Sequence, residues 1–250
     1  MNSESSSPRR RAADNHAPAL EWQLLCQAYQ NLPITLMVNL SVTIGGSIVL
    51  YTDGYSYVYQ WIMLTALLSA LRLATGVYFK SRYHLSAAVD TTTIIVWKSI
   101  FAAGLLSAAM VWVVIALVTI THNQIPPTSR YTLLIIMSAM ASGATGITAP
   151  LKMTGRIYIT LMILAPSLIM IFYSHNDAVI GVLGLIFCAA MIASHASNHK
   201  LLRASLTLKL ENEQLVNNLQ YLNTDLERRV NSRTQALKRI AHHDSLTGLP

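Results

Sequence analysis

Between Leu32 and Ala196 the chain returns repeatedly to charge-poor apolar stretches, each long enough to cross a bilayer as a helix of about 17 to 25 residues. No other feature constrains the fold as strongly, because hydrocarbon forces every backbone N–H and C=O to find its partner inside the segment. Six spans are expected, at residues 32–50, 57–73, 100–120, 131–150, 157–174 and 178–196. Apolar types make up 53% of the chain and charged types only 12%, against about 25% in soluble domains. The expected class is all-α: a polytopic six-helix transmembrane bundle followed by a long parallel coiled-coil signalling helix.

The flanks and loops complete this organisation. The first 18 residues, rich in Ser, Arg, Ala and Pro, read as a disordered cytosolic tail. Residues 19–31, with Leu20, Trp22, Leu24, Leu25 and Tyr29, read as a short amphipathic approach helix. This polar segment separates the basic cluster Arg9-Arg10-Arg11 from the first apolar core, so no cleavable signal is expected and span 1 stays as an anchor. Ser86 to Lys98 is expected to lie at the interface, since Asp90 and Lys98 are costly at mid-bilayer.

Basic residues set the orientation. Arg9 to Arg11 precede span 1; Arg72, Lys80 and Arg82 follow span 2; Lys152 and Arg156 join spans 4 and 5; Lys200 and Arg203 follow span 6. The alternate loops, Tyr51 to Ser56, Thr121 to Arg130 and Ser174 to Asp177, hold only Arg130. The bias places both termini in the cytoplasm. Because much of the net charge of +7 sits at helix ends, no nucleic-acid partner is expected. Cys26 and Cys188 lie in or beside apolar segments and read as packing thiols.

Small residues mark where helices can approach closely: Gly45 and Gly46, Gly104, Ser107 and Ala108, Ser138, Ala141, Ser142, Gly143 and Gly146, and Gly181 and Gly184. They suit bundle packing, or a ligand crevice between span 4 and the helix irregularity expected at Pro166. Trp61, Trp97 and Trp112 read as interface anchors or packing residues. His122, His175 and Asp177 are the candidate sensor residues, with Asn123 and Asn176 beside them. Imidazole and carboxylate both change charge and coordinate cations, so the group could serve an unknown proton, metal or polar ligand; the alternative is ordinary loop polarity. His195 and His199 share a helix face at four-residue spacing, yet no Cys or acidic ligand lies near them, which favours helix-end histidines over a metal or haem site.

From residue 197 to 241 the composition turns to Leu, Glu, Gln, Lys and Arg without Gly or Pro, as in one continuous helix. If straight it would reach about 65 Å. Leu201, Leu208, Leu215 and Leu222 recur every seventh residue, with Leu219 and Leu226 in the second seam. Asn212 falls at an a position, where a buried polar residue favours an in-register parallel pair. Val230 follows Leu226 by four residues and Leu237 follows Val230 by seven, a stutter that unwinds a coiled coil locally. A homodimer with its cytosolic ends together is expected.

The final segment, Ala241-His242-His243-Asp244-Ser245-Leu246-Thr247-Gly248-Leu249-Pro250, resembles the opening of a GGDEF domain, which in that family directly follows a signalling helix. The likeness covers Asp244 to Pro250. Asp244, Leu246, Thr247, Gly248 and Leu249 match the family's helix-to-domain junction, which positions the domain and carries no catalytic carboxylate. In architecture the N-terminal region is similar to MASE-type membrane sensors. The resemblance implies a bacterial inner-membrane diguanylate cyclase that condenses two GTP molecules into cyclic di-GMP and diphosphate with Mg²⁺ or Mn²⁺. Two domains would face each other, so that a 3′-hydroxyl of one GTP attacks the α-phosphate of the other. The metal-binding acids and the GG(D/E)EF loop are expected beyond Pro250, so residues 1–250 alone should carry no catalytic residue and bind no cofactor. Two other outputs fit the same arm: a GGDEF/EAL phosphodiesterase and a degenerate GGDEF receptor. A transporter-like bundle fits less well, because the sequence lacks a clear repeated half and a charged mid-membrane path.

Overall fold

The computed structural model describes residues 8–83, 90–122, 125–173 and 177–242, with side chains from Pro18 to Lys238 within those ranges. The described residues form seven helices: α1 (Pro8–Gln30), α2 (Leu32–Thr52), α3 (Val58–Arg82), α4 (Thr91–Thr121), α5 (Pro127–Ile147), α6 (Lys152–Tyr173) and α7 (Ala178–His242). The chain divides into two units, residues 1–203 and 204–250.

Local chemistry sets the breaks in the first unit. A proline in the first turn starts α2 after Asn31, and another starts α5 after Pro126, positions where the missing N–H costs no helical bond. Gly54, at φ +79°, makes the tight turn between α2 and α3. Thr148 ends α5, and only Ala149, Pro150 and Leu151 separate it from α6.

Hydrogen bonds show which helix ends meet. Ser129 donates to Asp53, the Tyr173 hydroxyl to the Thr121 carbonyl (3.1 Å) and the Tyr131 hydroxyl to Asp177 (2.6 Å). The end of α2 and the starts of α5 and α7 therefore lie with the ends of α4 and α6. At the opposite end His195 of α7 faces the carbonyls of Thr145 and Lys152. Hence α5 runs the full distance between the two ends, like α4 and α6.

The unit is inverted relative to a water-soluble domain. Met37, Met63, Leu67, Phe172 and Val179 point outward, whereas Asn39, Thr43, Thr65, Arg72, Thr119 and His195 are buried. Thr43, Ser47, Thr119 and Ser167 satisfy their hydroxyls on the carbonyl four residues earlier in their own helix. Among the described residues, five segments are long and apolar enough to cross a membrane: Pro18–Thr52, Val58–Arg82, Thr91–Thr121, Lys152–Tyr173 and Ala178–Lys238. The protein is thus an all-α, multi-span helical bundle. Rich in Ser, Thr, Ala and Gly, α5 falls outside those five although its 21 residues would extend about 31 Å.

Three local expectations need revising. The separate helix expected over Ser86 to Lys98 is replaced, in its described part, by the first turns of the continuous helix α4, where Lys98 pairs with Glu21 of α1. Arg72, expected at the cytoplasmic end of span 2, lies ten residues inside α3, which continues to Arg82. The approach helix is also longer than residues 19–31, since α1 starts at Pro8. Leu20, Trp22, Leu24, Leu25 and Tyr29 of α1 are all buried. Tyr29 stacks on Phe79 of α3 (centroids 4.0 Å) and donates to the Trp97 carbonyl at 3.1 Å. Glu21 also lies 3.8 Å from Arg203 of α7, so α1 meets both α4 and α7 through one carboxylate.

Candidate functional site

Two crevices in the bundle present themselves as ligand sites. The larger, about 680 Å³, lies among α5, α6 and α7, where Ser138 and Ser142 face Pro166 and Ser167. Proline has no N–H to donate to the Met162 carbonyl, and both residues line this space. The small residues of α5 and Pro166 of α6 therefore share one crevice. Its walls are mainly Leu, Ile, Met and Phe, suited to an apolar body.

The smaller, about 230 Å³, contains charge. Arg72 of α3, only 6% exposed, borders it together with Asn39 of α2 and Tyr158 of α6. Gly104 of α4 gives the arginine its berth: a methyl there would stand 3.0 Å from Arg72 Cγ and 3.3 Å from Cδ. The Arg72 Nη2 is buried without a hydrogen-bond partner among the described residues. Asn39 is fixed by Trp112, whose Nε1 donates to its Oδ1 at 2.9 Å, and Trp112 in turn meets Trp61 edge to face at 5.1 Å. The sequence signal for Arg72 was its charge, but it sits at the edge of an apolar run and so resembles a helix-end cation.

No family model, curated protein or solved structure matches the chain.

Of the candidate sensor residues, His122 and Asp177 each engage a different partner. The His122 carbonyl accepts from Arg130 (3.1 Å), and its ring lies edge-on to Tyr55 at 6.4 Å. Burial, then Tyr57, pushes the Tyr55 phenol above its usual range. Asp177 accepts from Tyr131. His175 lies outside the described residues, as do Asp244, Leu246, Thr247, Gly248 and Leu249. Among the described residues no group of three His, Cys, Asp or Glu gathers as around a metal ion.

At the other end of the bundle, His195 is fully buried with both ring nitrogens 3.2 Å from carbonyl oxygens, of Thr145 and Lys152. His199 Nδ1 lies 2.7 Å from the Ala149 carbonyl. Both histidines thus engage the α5–α6 turn. On α7, Leu201, Leu208, Leu215, Leu219, Leu222 and Leu226 are 55–67% exposed, and Asn212 is exposed with them. This row keeps the seven-residue spacing of the two seams.

Proposed function

We propose that this chain is the membrane sensory and dimerisation region of a GGDEF-type diguanylate cyclase, anchored in the bacterial inner membrane. The observation that carries the reading is α7, which is helical without interruption from Ala178 to His242, immediately before the Asp244–Pro250 junction motif. Its exposed leucine row is apolar surface that a second copy would cover in a parallel coiled coil. Six crossings, with α5 as the fourth, would return α7 to the side where α2 begins. Lys80, Arg82, Lys152, Lys200 and Arg203 favour that side as cytoplasmic.

In this mechanism the bundle controls the pairing geometry of α7. Two GTP-loaded domains react only when correctly opposed, so alignment supplies the orientation term of catalysis and Mg²⁺ or Mn²⁺ in the GGDEF domain polarises the phosphates. The decisive experiment is cyclic di-GMP formation from GTP and Mg²⁺ by the full-length protein in lipid. Product formation is expected, and a folded dimer that makes none would overturn the assignment. Leu215→Cys and Leu222→Cys should each crosslink to the same position of a second copy. Crosslinks that instead join distant positions would establish an antiparallel pair and refute this control scheme.

A further inference from the structure

Among the residues buried in the bundle, Arg72, Thr65, Trp22 and Trp61 each keep a polar atom without a hydrogen-bond partner among the described residues, and of these four Arg72 alone is charged. Thr43, Ser47, Thr119 and Ser167 close their hydrogen bonds on their own helices, and His195 and His199 lie against carbonyls. Arg72 is a cation in the middle of α3, in none of the described ion pairs, with one guanidinium nitrogen buried and unmatched. A charge withdrawn from water and left unpaired is among the most costly arrangements in a protein interior, and in a membrane segment it marks a functional position.

Two cavities border Arg72, and their polar groups distinguish them. In the one of about 440 Å³ the hydroxyls are committed: Tyr29 to the Trp97 carbonyl, Thr75 to that of Arg72 and Ser107 to that of Gly104. The cavity of about 230 Å³ places Arg72 with the Tyr158 hydroxyl and Asn39. Because Trp112 donates to Asn39 Oδ1 and fixes the amide, its Nδ2 keeps two N–H donors without a described partner. One fixed cation and two neutral donor groups thus line a single space. No second Lys or Arg lines it, so its charge balances one negative charge and not two.

Thr35 and Thr148 also line it, with their hydroxyls donated to the Asn31 and Ala144 carbonyls of their own helical turns, and the rest of the wall is mainly apolar, including Val42, Leu105, Ile136 and Met140. Val38 and Gly143 line the cavity and are also exposed on the apolar outer surface, so the space opens laterally between α2 and α5. At about 30 Å³ per water-sized group, 230 Å³ accommodates roughly eight non-hydrogen atoms, the size of hexanoate.

We infer that this cavity binds a small monoanion with an apolar body, a short-chain carboxylate, with its head on Arg72 and its chain directed between α2 and α5. The planar guanidinium fork matches a carboxylate in two parallel hydrogen bonds. A phosphodiester lipid head group offers the same single negative charge and is the other source of this chemistry. The inference needs no downstream domain, so its failure would leave the signalling proposal standing.

The test uses the full chain in phosphatidylcholine nanodiscs, titrated with hexanoate, 1-hexanol and hexylammonium while tryptophan fluorescence and thermal unfolding are followed. Hexanoate is expected to bind saturably, with hexanol and hexylammonium about ten-fold weaker or more, the loss expected for a missing charged hydrogen bond. Arg72→Gln should abolish hexanoate binding. Gly143→Leu extends into open space, because a Cβ there meets nothing within 4 Å; it should weaken hexanoate by about ten-fold with Arg72 intact. Discs containing phosphatidylglycerol separate the sources: an Arg72-dependent loss of hexanoate affinity there assigns the site to the lipid head group, and unchanged affinity assigns it to the free carboxylate. Equal binding of hexanol, survival of hexanoate binding in Arg72→Gln, or no saturable binding in phosphatidylcholine overturns the inference. If Arg72→Gln does not fold, unchanged affinity in Gly143→Leu overturns it instead.

Discussion

Gly181→Ala tests whether α6 and α7 are in backbone contact. A methyl added at Gly181 would stand 2.6 Å from the Ser167 carbonyl oxygen and 3.2 Å from the Ile171 backbone nitrogen. Ordinary contact starts at 3.4 Å, so relief requires a movement of about 0.8 Å; the Ile171 Cγ1, also at 2.6 Å, can move with its side chain, but the two main-chain atoms cannot rotate aside. Alanine in a helix interior gains about 1 kcal/mol over glycine, while overpacking of this kind costs roughly 1–3 kcal/mol. The control is Gly45→Ala in the interior of α2, whose methyl meets nothing within 4 Å and so should realise the gain alone. The two variants should therefore differ by about 2 kcal/mol, with Gly181→Ala the less stable. Unfolding in mixed micelles with a rising fraction of denaturing detergent, read by tryptophan fluorescence, gives the comparison directly. Equal midpoints would refute the close approach.

The buried Trp112–Asn39 hydrogen bond predicts that Trp112→Phe and Asn39→Leu each cost about 1–3 kcal/mol and that the double variant costs less than their sum. Strict additivity in a double-mutant cycle would show that the bond contributes nothing. The placement of α5 predicts that a cysteine replacing Thr128 and one replacing Lys152 label from opposite faces of the membrane. Labelling of both from one face would reduce the crossings to the five strongly apolar segments.

Much of this fold can be read from hydropathy because membrane helices satisfy their own backbones, leaving each apolar run to declare itself. Reading failed where a distant residue changes the cost of a local one. Lys98 looks unfit for a membrane helix until Glu21, 77 positions away, is brought beside it. Arg72 sits where an apolar run thins, and only α4 and α6 reveal that Gly104 and Tyr158 enclose it. The glycines illustrate the same limit. Gly181 and Gly184 do meet α6, whereas Gly45, Gly143 and Gly146 face open space, a distinction of rotational setting that composition does not record. The α5–α6–α7 crevice was more accessible, because small side chains and a proline restrict packing wherever they stand. The carbonyl partners of His195 were not, since main-chain atoms carry no sequence signature.

Glu21 is the shared counter-charge of Lys98 on α4 and Arg203 on α7, and its contact with Arg203 is long and half open to solvent. A pair of that kind contributes at most about 1 kcal/mol. Such a bond is a detent in the mechanical sense: it marks a preferred angular position of α7 yet yields to small torques. If the bundle signals through α7 as proposed, charge reversal at Glu21 should shift the response threshold while leaving the Arg72 cavity intact.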